Sequence, residues 1–515
     1  MVMVRDQFGK FSKHNPPITT TYNFDFPTIK ETITPRGGIR ERSIVVTDKA
    51  CFNSKESSSS FSDQGRSYFV YPAHNIKGSF HPKVTMGLDE GILKLLVGSH
   101  NLTEAGVKYN LEITSYYEIP LLETFTEIIQ GVSNFVKRLS NCIQSDITVK
   151  KTMQSLVECI QDLDSVEMVL KPQDSFYFLH SFRKPIFEQV LELVPNISRA
   201  TVCAPFLSED VDFVTDIISS LGGKATFLID PKSFSISDQA KKAYEKNDVQ
   251  ILNIDDNRYL HAKLFVFHTQ NGDWTLFGSP NFTRKALWQR VDRGGNVEAS
   301  ILTAPSKKWS WKDLFHDGVT ASPIQWSELH SIEKDEHEQT VKETQIERWG
   351  YETPNNEGVI LAQGLSDGTV VYIHLLGIDK NLKIKVKKGL IRFKIPSNWY
   401  EDTRYEILDK TLKVISSGFL NRSGAVMKEL SGVDIDDAAK LNLWFYLRRL
   451  RHFDPKKIYT RPPVEIPEVP LDPRDWRPRP IPVDWRPISK RILMMTPKKI
   501  YDNATSTFEE SWEEY

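Results

Sequence analysis

The sequence predicts an α/β protein built from two fused repeats, followed by a β-rich C-terminal domain and a proline-rich tail. Three observations carry this reading. One motif occurs twice with the same internal spacing. Strand-like and helix-like stretches alternate through both copies, as expected of layered α/β domains. Beyond Ala304 the texture changes to successive strand-like runs and then to proline.

The doubled motif reads "FHPKVTMGLDEGILKLLVGSHNLTEAG" from Phe80 and "LHAKLFVFHTQNGDWTLFGSPNFTRKA" from Leu260. Lys83 to Gly98 and Lys263 to Gly278 are both 15 positions, and Lys83 to Asn101 and Lys263 to Asn281 are both 18. An Asn-x-Glu follows each copy, at Asn110-Leu111-Glu112 and Asn296-Val297-Glu298. Six residue types recurring in register mark an internal duplication.

The second copy has the clearer elements. "RATVCAP", "KATFLID", "DVQILNI", "LHAKLFVF", "DWTLFG" and "GNVEASIL" read as strands. "DVDFVTDIISSLGG" and "DQAKKAYEKN" read as helices, the first stopped by Gly222-Gly223. The first copy answers with "RSIVVTD", "RSYFVYP", "FHPKVTMG", "GILKLLVG" and "NLEITSYYEI". A helix follows over 121–140, where Leu121, Phe125, Ile128, Val132, Phe135 and Leu139 repeat at helical spacing. "NSKESSSSFSDQG" reads as a flexible serine-rich loop. "SELHSIEKDEHEQTVKETQIERWG" reads as a charged linker or exposed helix. From Gly358 to Ser417 the reading is β, "DDAAKLNLWFYLRRLRHF" is helix-like, and proline dominates Arg461 to Pro487 before an acidic end. The expected organisation is a first repeat over 1–165, a second over 166–310, a linker over 311–345, a β-rich domain over 346–455 and an extended tail over 456–515.

Composition sets the bounds. A chain of 515 residues suits about three domains. The formal net charge of −1 means that any nucleic-acid contact must come from local patches. Cys51, Cys142, Cys159 and Cys203 have no metal-ligand spacing. The opening "MVMVRDQFGKFSKHNPP" is too polar for a signal peptide, and no apolar run reaches about 18 residues. A cytoplasmic protein that does not enter membranes is expected.

In His-Pro-Lys and His-Ala-Lys, the two functional residues are two apart, so on a strand both project from one face. One imidazole can attack phosphorus while a second protonates the leaving oxygen. Two ammonium groups and two Asn amides supply donors for the equatorial oxygens. One copy is thus half an active site. His81, Lys83, Asn101, His261, Lys263 and Asn281 are expected to meet at a pseudo-two-fold seam. The attacking ring must be neutral and the donating ring protonated, so their pKa values are expected to be pushed apart. No metal and no cofactor are expected.

The motifs resemble the signature of the phospholipase D superfamily over roughly residues 40–305: His81, Lys83, Gly98, Ser99 and Asn101, then His261, Lys263, Gly278, Ser279 and Asn281. The resemblance implies two phospholipase D-like repeats and a metal-independent reaction through a phosphohistidine. It implies His81 as nucleophile and His261 as general acid. Glu112 and Glu298 would orient the rings, and Ser99 and Ser279 would support the turn or touch the phosphate. The signature Asp would fall at Leu88 and His268 and is missing from both copies; tyrosyl-DNA phosphodiesterases and several nucleases of the superfamily also lack it. "GSHNLTEAG" and "GSPNFTRKA" are similar to its bacterial nucleases and restriction enzymes. That branch implies a DNA substrate, a setting in restriction or anti-phage defence, and an ATP-driven helicase or translocase as partner.

The β-rich part adds one reading from its own residues. "NLKIKVKKGLIRFK" places Lys383, Lys385 and Lys387 on one strand face, a stripe suited to a phosphate backbone. The alternative is an edge strand protected by lysines. Two other functions stay open. A lipid phosphodiesterase would use "LNLWFYLRRLRHF" as its membrane-facing helix. A non-catalytic nucleic-acid-binding and partner-docking protein would have no need of both histidines.

Overall fold

The computed structural model describes residues 7–422, apart from 9, 12–16, 34–42, 55–64, 66–67, 90, 121–126, 144–148, 150–152, 155, 159–175, 233–235, 257, 306–319, 331–345, 354, 398 and 400–402. The serine-rich stretch 55–64, Leu121 and Phe125, the charged stretch 331–345, the helix expected over 436–453 and the proline-rich tail lie outside the described residues.

The first repeat forms a six-stranded sheet from β1 (Ile18–Thr21), β2 (Ser43–Thr47), β3 (Tyr68–Pro72), β4 (Val84–Asp89), β5 (Ile92–Gly98) and β6 (Thr114–Pro120). Its order is β3-β2-β1-β4-β5-β6, with β1 to β3 parallel and β4 to β6 joined antiparallel. The second repeat has β7 (Phe176–His180), β8 (Arg199–Cys203), β9 (Ala225–Ile229), β10 (Val249–Asp255), β11 (Leu264–Thr269), β12 (Gly272–Gly278), β13 (Ala299–Thr303) and β14 (Thr320–Ile324). Its order is β14-β10-β9-β8-β11-β12-β13-β7. The six strands β10-β9-β8-β11-β12-β13 reproduce the first sheet in order and in strand direction. The duplication is therefore one of structure as well as motif.

Local chemistry explains the helices. Asp210 caps Val211–Ser220 by accepting from Phe213 N–H (3.0 Å), and Ser237 caps Asp238–Lys246 through Ala240 N–H (3.3 Å). Glu127–Asn141 buries Ile128, Val132, Phe135 and Leu139 on one face, as their spacing predicts. Asp48 begins the short helix Lys49–Ser54 by accepting from Ala50 N–H (2.8 Å) and Cys51 N–H (3.2 Å).

Two sequence expectations need correction. Residues 320–329, assigned to the linker, belong to the second repeat. β14 pairs with β10, and Trp326 and Leu329 are buried in the second core, where Trp326 stacks on Tyr244. The His-x-Lys residues are not on strands. Residues 81–83 and 261–263 form an extended lead-in before β4 and β11, because their neighbours pair across the repeats instead of within a sheet.

The third sheet comprises β15 (Ile346–Glu352), β16 (Glu357–Ala362), β17 (Val370–Leu375), β18 (Leu382–Lys385), β19 (Leu390–Lys394), β20 (Arg404–Leu408) and β21 (Val414–Asn421), in the order β18-β17-β20-β21-β15-β16-β19. Its two end strands are joined by the Lys388-Gly389 turn. Both turn residues have positive φ, and Lys387 and Leu390 exchange two 3.0 Å backbone hydrogen bonds. The sheet is thus a nearly closed barrel around Ile373, Ile391, Phe393, Tyr405 and Ile407. Trp349 and Phe419 pack instead into the core of the first repeat, Trp349 against Tyr71 and Phe419 against Phe26 and Phe52. Lys49 pairs with the buried Glu347 at 2.8 Å. Among the described residues no helix is long and apolar enough to cross a membrane.

Candidate active site

Two reciprocal seams assemble the site. Phe80 pairs with Val297 and Leu111 with Leu260, each as an isolated parallel bridge between the repeats. His81 N–H donates to Val297 O (2.9 Å), and His261 N–H donates to Leu111 O (3.0 Å). Each His-x-Lys segment is therefore held by the Asn-x-Glu segment of the other repeat.

The side chains follow the same crossing. His81 Nδ1 lies 2.9 Å from Glu298 Oε2, and His261 Nδ1 lies 2.7 Å from Glu112 Oε1. An ionised carboxylate only accepts, so both Nδ1 atoms carry the proton and both Nε2 atoms are left as acceptors. Each Nε2 faces a lysine: Lys83 Nζ is 3.0 Å from His81 Nε2, and Lys263 Nζ is 3.2 Å from His261 Nε2. Each ammonium also donates to the carbonyl of its own His, at 3.0 and 2.7 Å. The extended lead-in thus achieves what a strand was expected to achieve, with His and Lys turned to one side.

Ser99 and Ser279 have a common task. Each donates to a carboxylate, Ser99 to Glu112 and Ser279 to Glu298. Each also accepts a backbone N–H at 3.0 Å, from Ile113 and Ala299. These bonds tie each serine to the carboxylate of its own repeat. Asn110 and Asn296 donate to the same carboxylates at 3.2 and 3.1 Å. The repeated Asn-x-Glu was the sequence signal for this bond. The motif glycines admit no side chain: a Cβ on Gly98 would lie 2.4 Å from Thr114 Oγ1, and one on Gly278 2.4 Å from Ala299 O.

Asn101 and Asn281 behave alike too. In both, the amide oxygen is buried without a hydrogen-bond partner. Buried polar groups are normally satisfied, and the same atom is left open in both halves.

Burial dominates the electrostatics. It pulls His81 down to about 4, with help from Lys83 and against Glu298. Burial and then Lys263 lower His261, against Glu112. The two rings are therefore shifted in the same direction, because burial is the largest influence on each. Burial and the facing Lys263 bring Lys83 well below the usual lysine range. Burial brings Lys263 to about 8, although Glu112 and Glu298 oppose it. Burial alone would raise Glu112, but His261, Lys263 and Ser99 outweigh it and hold the carboxyl at about 2. Glu298 is lowered in the same way through His81, Lys83 and Ser279. Lys263 acts on Lys83, and each lysine acts on the histidine of the other repeat. The two histidines, two lysines and two glutamates thus form one electrostatic unit across the repeats.

Several neighbours carry no sequence signal of their own. Tyr22 packs edge-on to His81 (5.0 Å between ring centroids), and Tyr259 stacks on His261 (5.8 Å). Asp48 Oδ2 accepts from Phe80 N–H (2.8 Å), directly before His81. His100 bonds to Thr114 at 2.9 Å and lies within the electrostatic reach of Glu112 and Lys83. His268, at the missing signature position, is held between Asp273 (2.9 Å) and Thr201 (3.1 Å) in a structural role. Lys383, Lys385 and Lys387 are exposed on the third sheet and are not among the residues gathered here. Among the described residues no group of three or more His, Cys, Asp or Glu side chains is placed to hold a metal ion.

No protein-family model matches the sequence, and no curated protein matches it. Solved structures do show similarity. A mutant of the yeast tyrosyl-DNA phosphodiesterase matches with a TM-score of 0.42 at 11% identity, over 59% of this chain and 84% of that one. The phosphatidylserine synthase of Haemophilus influenzae Rd KW20 matches with a TM-score of 0.41 at 12% identity, over 64% and 86%. The polyphosphate kinase of Porphyromonas gingivalis matches with a TM-score of 0.33 at 11% identity, over 58% and 44%.

Proposed function

We propose that the chain is a metal-independent phosphodiesterase that cleaves DNA through a phosphohistidine intermediate. The observation that carries this reading is the crossed pair of His–Glu hydrogen bonds, with a lysine beside each Nε2. His81 Nε2 attacks phosphorus, the bond to the leaving oxygen breaks, and that oxygen takes a proton from His261. Water then gives a proton to His261 and attacks phosphorus, breaking the P–N bond and freeing His81. Lys83, Lys263, Asn101 and Asn281 bind the equatorial oxygens. Both rings are neutral in the empty site at neutral pH, as a nucleophile requires. The phosphodiester anion is the charge that favours a proton on His261.

DNA is chosen over lipid on the motif phrasing and on the basic hairpin. Lys383, Lys385 and Lys387 alternate with the half-buried Leu382 and Ile384 and the buried Val386, and Arg392 and Lys394 extend the exposed cationic face along β19. The test is incubation with single- and double-stranded DNA, RNA and phospholipid in excess EDTA. DNA cleavage is expected. Turnover of phospholipid alone would move the reading to lipid, and activity that needs added Mg²⁺ would place the chemistry elsewhere. Replacing the three lysines by Ala should weaken DNA binding and flatten its salt dependence, by about 0.9 in log–log slope for each lost phosphate contact. An unchanged slope would leave the lysines as edge protection.

A further inference from the structure

The short helix Lys49–Ser54 stands between the barrel and His81. Its six residues are too few for a helix to hold itself in water, so its contacts decide where it stands. Residues three apart share a helix face. Lys49 and Phe52 make the face towards the barrel. Lys49 Nζ lies 2.8 Å from Glu347 Oε1, a carboxylate only 1% exposed, and Phe52 packs against Phe419 with 6.2 Å between ring centroids. Glu347 is on β15 and Phe419 on β21, and the Glu347 carbonyl accepts from Tyr405 O–H on β20 (2.9 Å).

Asp48, just before the helix, and Cys51 make the face towards the site. The Cys51 side chain is hydrogen-bonded to Tyr22, the ring that packs on His81. Asp48 uses both carboxylate oxygens. Oδ1 accepts from Ala50 N–H and Cys51 N–H, while Oδ2 accepts from Phe80 N–H. Asn could not do both, because its second terminal atom is a donor. His81 N–H, one residue on, donates to Val297 O. Two consecutive N–H groups are thus held by different parts of the fold. That fixes the two soft dihedrals at Phe80, and with them the direction in which His81 leaves the chain.

We infer that Asp48 is a positioning residue for the attack of His81 on phosphorus, and that the barrel holds it in place through the Lys49–Glu347 pair. The inference rests on the phosphohistidine reading above. It gives the third sheet a part in the chemical step, separate from any part in binding DNA. Attack needs Nε2 in line with the departing oxygen, and a displacement of about 1 Å costs on the order of 10²-fold. Glu298 and Lys83 hold the ring at its two nitrogens, and Asp48 holds the backbone that carries it.

The experiment follows adduct formation in the full chain carrying His261→Asn, with the p-nitrophenyl ester of a nucleoside monophosphate. That substrate has no phosphate backbone for the barrel lysines to hold, and p-nitrophenolate departs without a proton. Attack forms the P–N bond on His81 and breaks the bond to p-nitrophenolate, which is read by its colour. The amplitude counts folded sites, and the rate reports the attack. Asp48→Asn is added to this parent, then Lys49→Met with Glu347→Gln, then all three. Removing both charges of the pair leaves neither buried alone. Asp48→Asn should slow the adduct by on the order of 10²-fold at full amplitude. The charge-pair variant should slow it too. All three changes together should stay within about twofold of Asp48→Asn, because they break one chain of contacts. A parental rate for Asp48→Asn, whatever its amplitude, would make Asp48 a support for the fold and overturn the inference. So would a charge-pair variant that attacks at the parental rate, or losses that multiply. In each of these cases the phosphohistidine reading stands. A parent chain that forms no adduct overturns both.

Discussion

The two repeats share six strands in the same order and the same His, Lys, Ser, Asn and Glu at the site, yet their surroundings differ. The second sheet adds β7 beyond β13 and β14 beyond β10. Ser181, just after β7, accepts from Glu298 N–H (2.8 Å) and donates to Asn296 O (2.8 Å), so the carboxylate serving His81 rests on an extra strand. The first repeat has Tyr22 and Asp48 around His81, and His100 where the second has Pro280. It also carries the barrel through Trp349 and Phe419. The two copies keep the same side chains at the site and differ in what surrounds them. A symmetric pair of histidines can therefore take unequal roles.

The largest test of that inequality is removal of each histidine. His81→Ala should abolish turnover and the covalent adduct. His261→Asn should slow turnover by roughly 10²- to 10⁴-fold and let a phosphohistidine accumulate on His81, most visibly with a good leaving group. Acid-quenched digestion and mass spectrometry locate the adduct, and an adduct on His261 would reverse the roles. Multiple turnover with both histidines removed would end the mechanism.

The carboxylates test the crossing. Each serves the histidine of the other repeat, so Glu112→Gln should behave like a weak His261 variant and accumulate adduct. Glu298→Gln should slow adduct formation instead. Gln is preferred to Ala because stripping one partner from a buried charged pair costs about 3–5 kcal/mol and risks unfolding. The expected loss is on the order of 10²-fold in turnover. If Glu298→Gln accumulated adduct and Glu112→Gln did not, each glutamate would be serving its own repeat.

The smallest effect concerns the lysines. Lys263, held at about 8, is charged below that pH and neutral above it. A site that needs its charge should therefore lose kcat/KM as pH rises through about 8. Burial and Lys263 also bring Lys83 well below the usual lysine range. A profile flat up to pH 10 would remove Lys263 from the binding of the phosphate.

The site was more legible in the sequence than the fold around it. His81, Lys83, Asn101 and their counterparts could be found because duplication gives every position an internal control. The pairing of Glu298 with His81 could not, since it depends on which backbone lies across the seam, 217 residues away. β1 was missed because Ile18–Thr21 is only four residues long and follows Pro16-Pro17, although it is the buried centre of its sheet. The stretch 320–329 looked like linker because Pro323 sits on an edge strand and Trp326 stands alone among polar residues. Tertiary packing, not local pattern, makes it part of the second repeat. The barrel strands showed plainly, since alternation survives wherever one face is wet.

The crossed hydrogen bonds also have a meaning in time. Among the described residues, His81 takes its carboxylate from Glu298. A growing chain exposes its first histidine and lysine long before residue 298 is made, at roughly 5–20 residues per second. Through that interval His81 lacks its carboxylate, whereas His261, made after Glu112, finds its own already in the chain. The geometry works as a completion check. The crossed site is complete only when both halves have been synthesised and have docked.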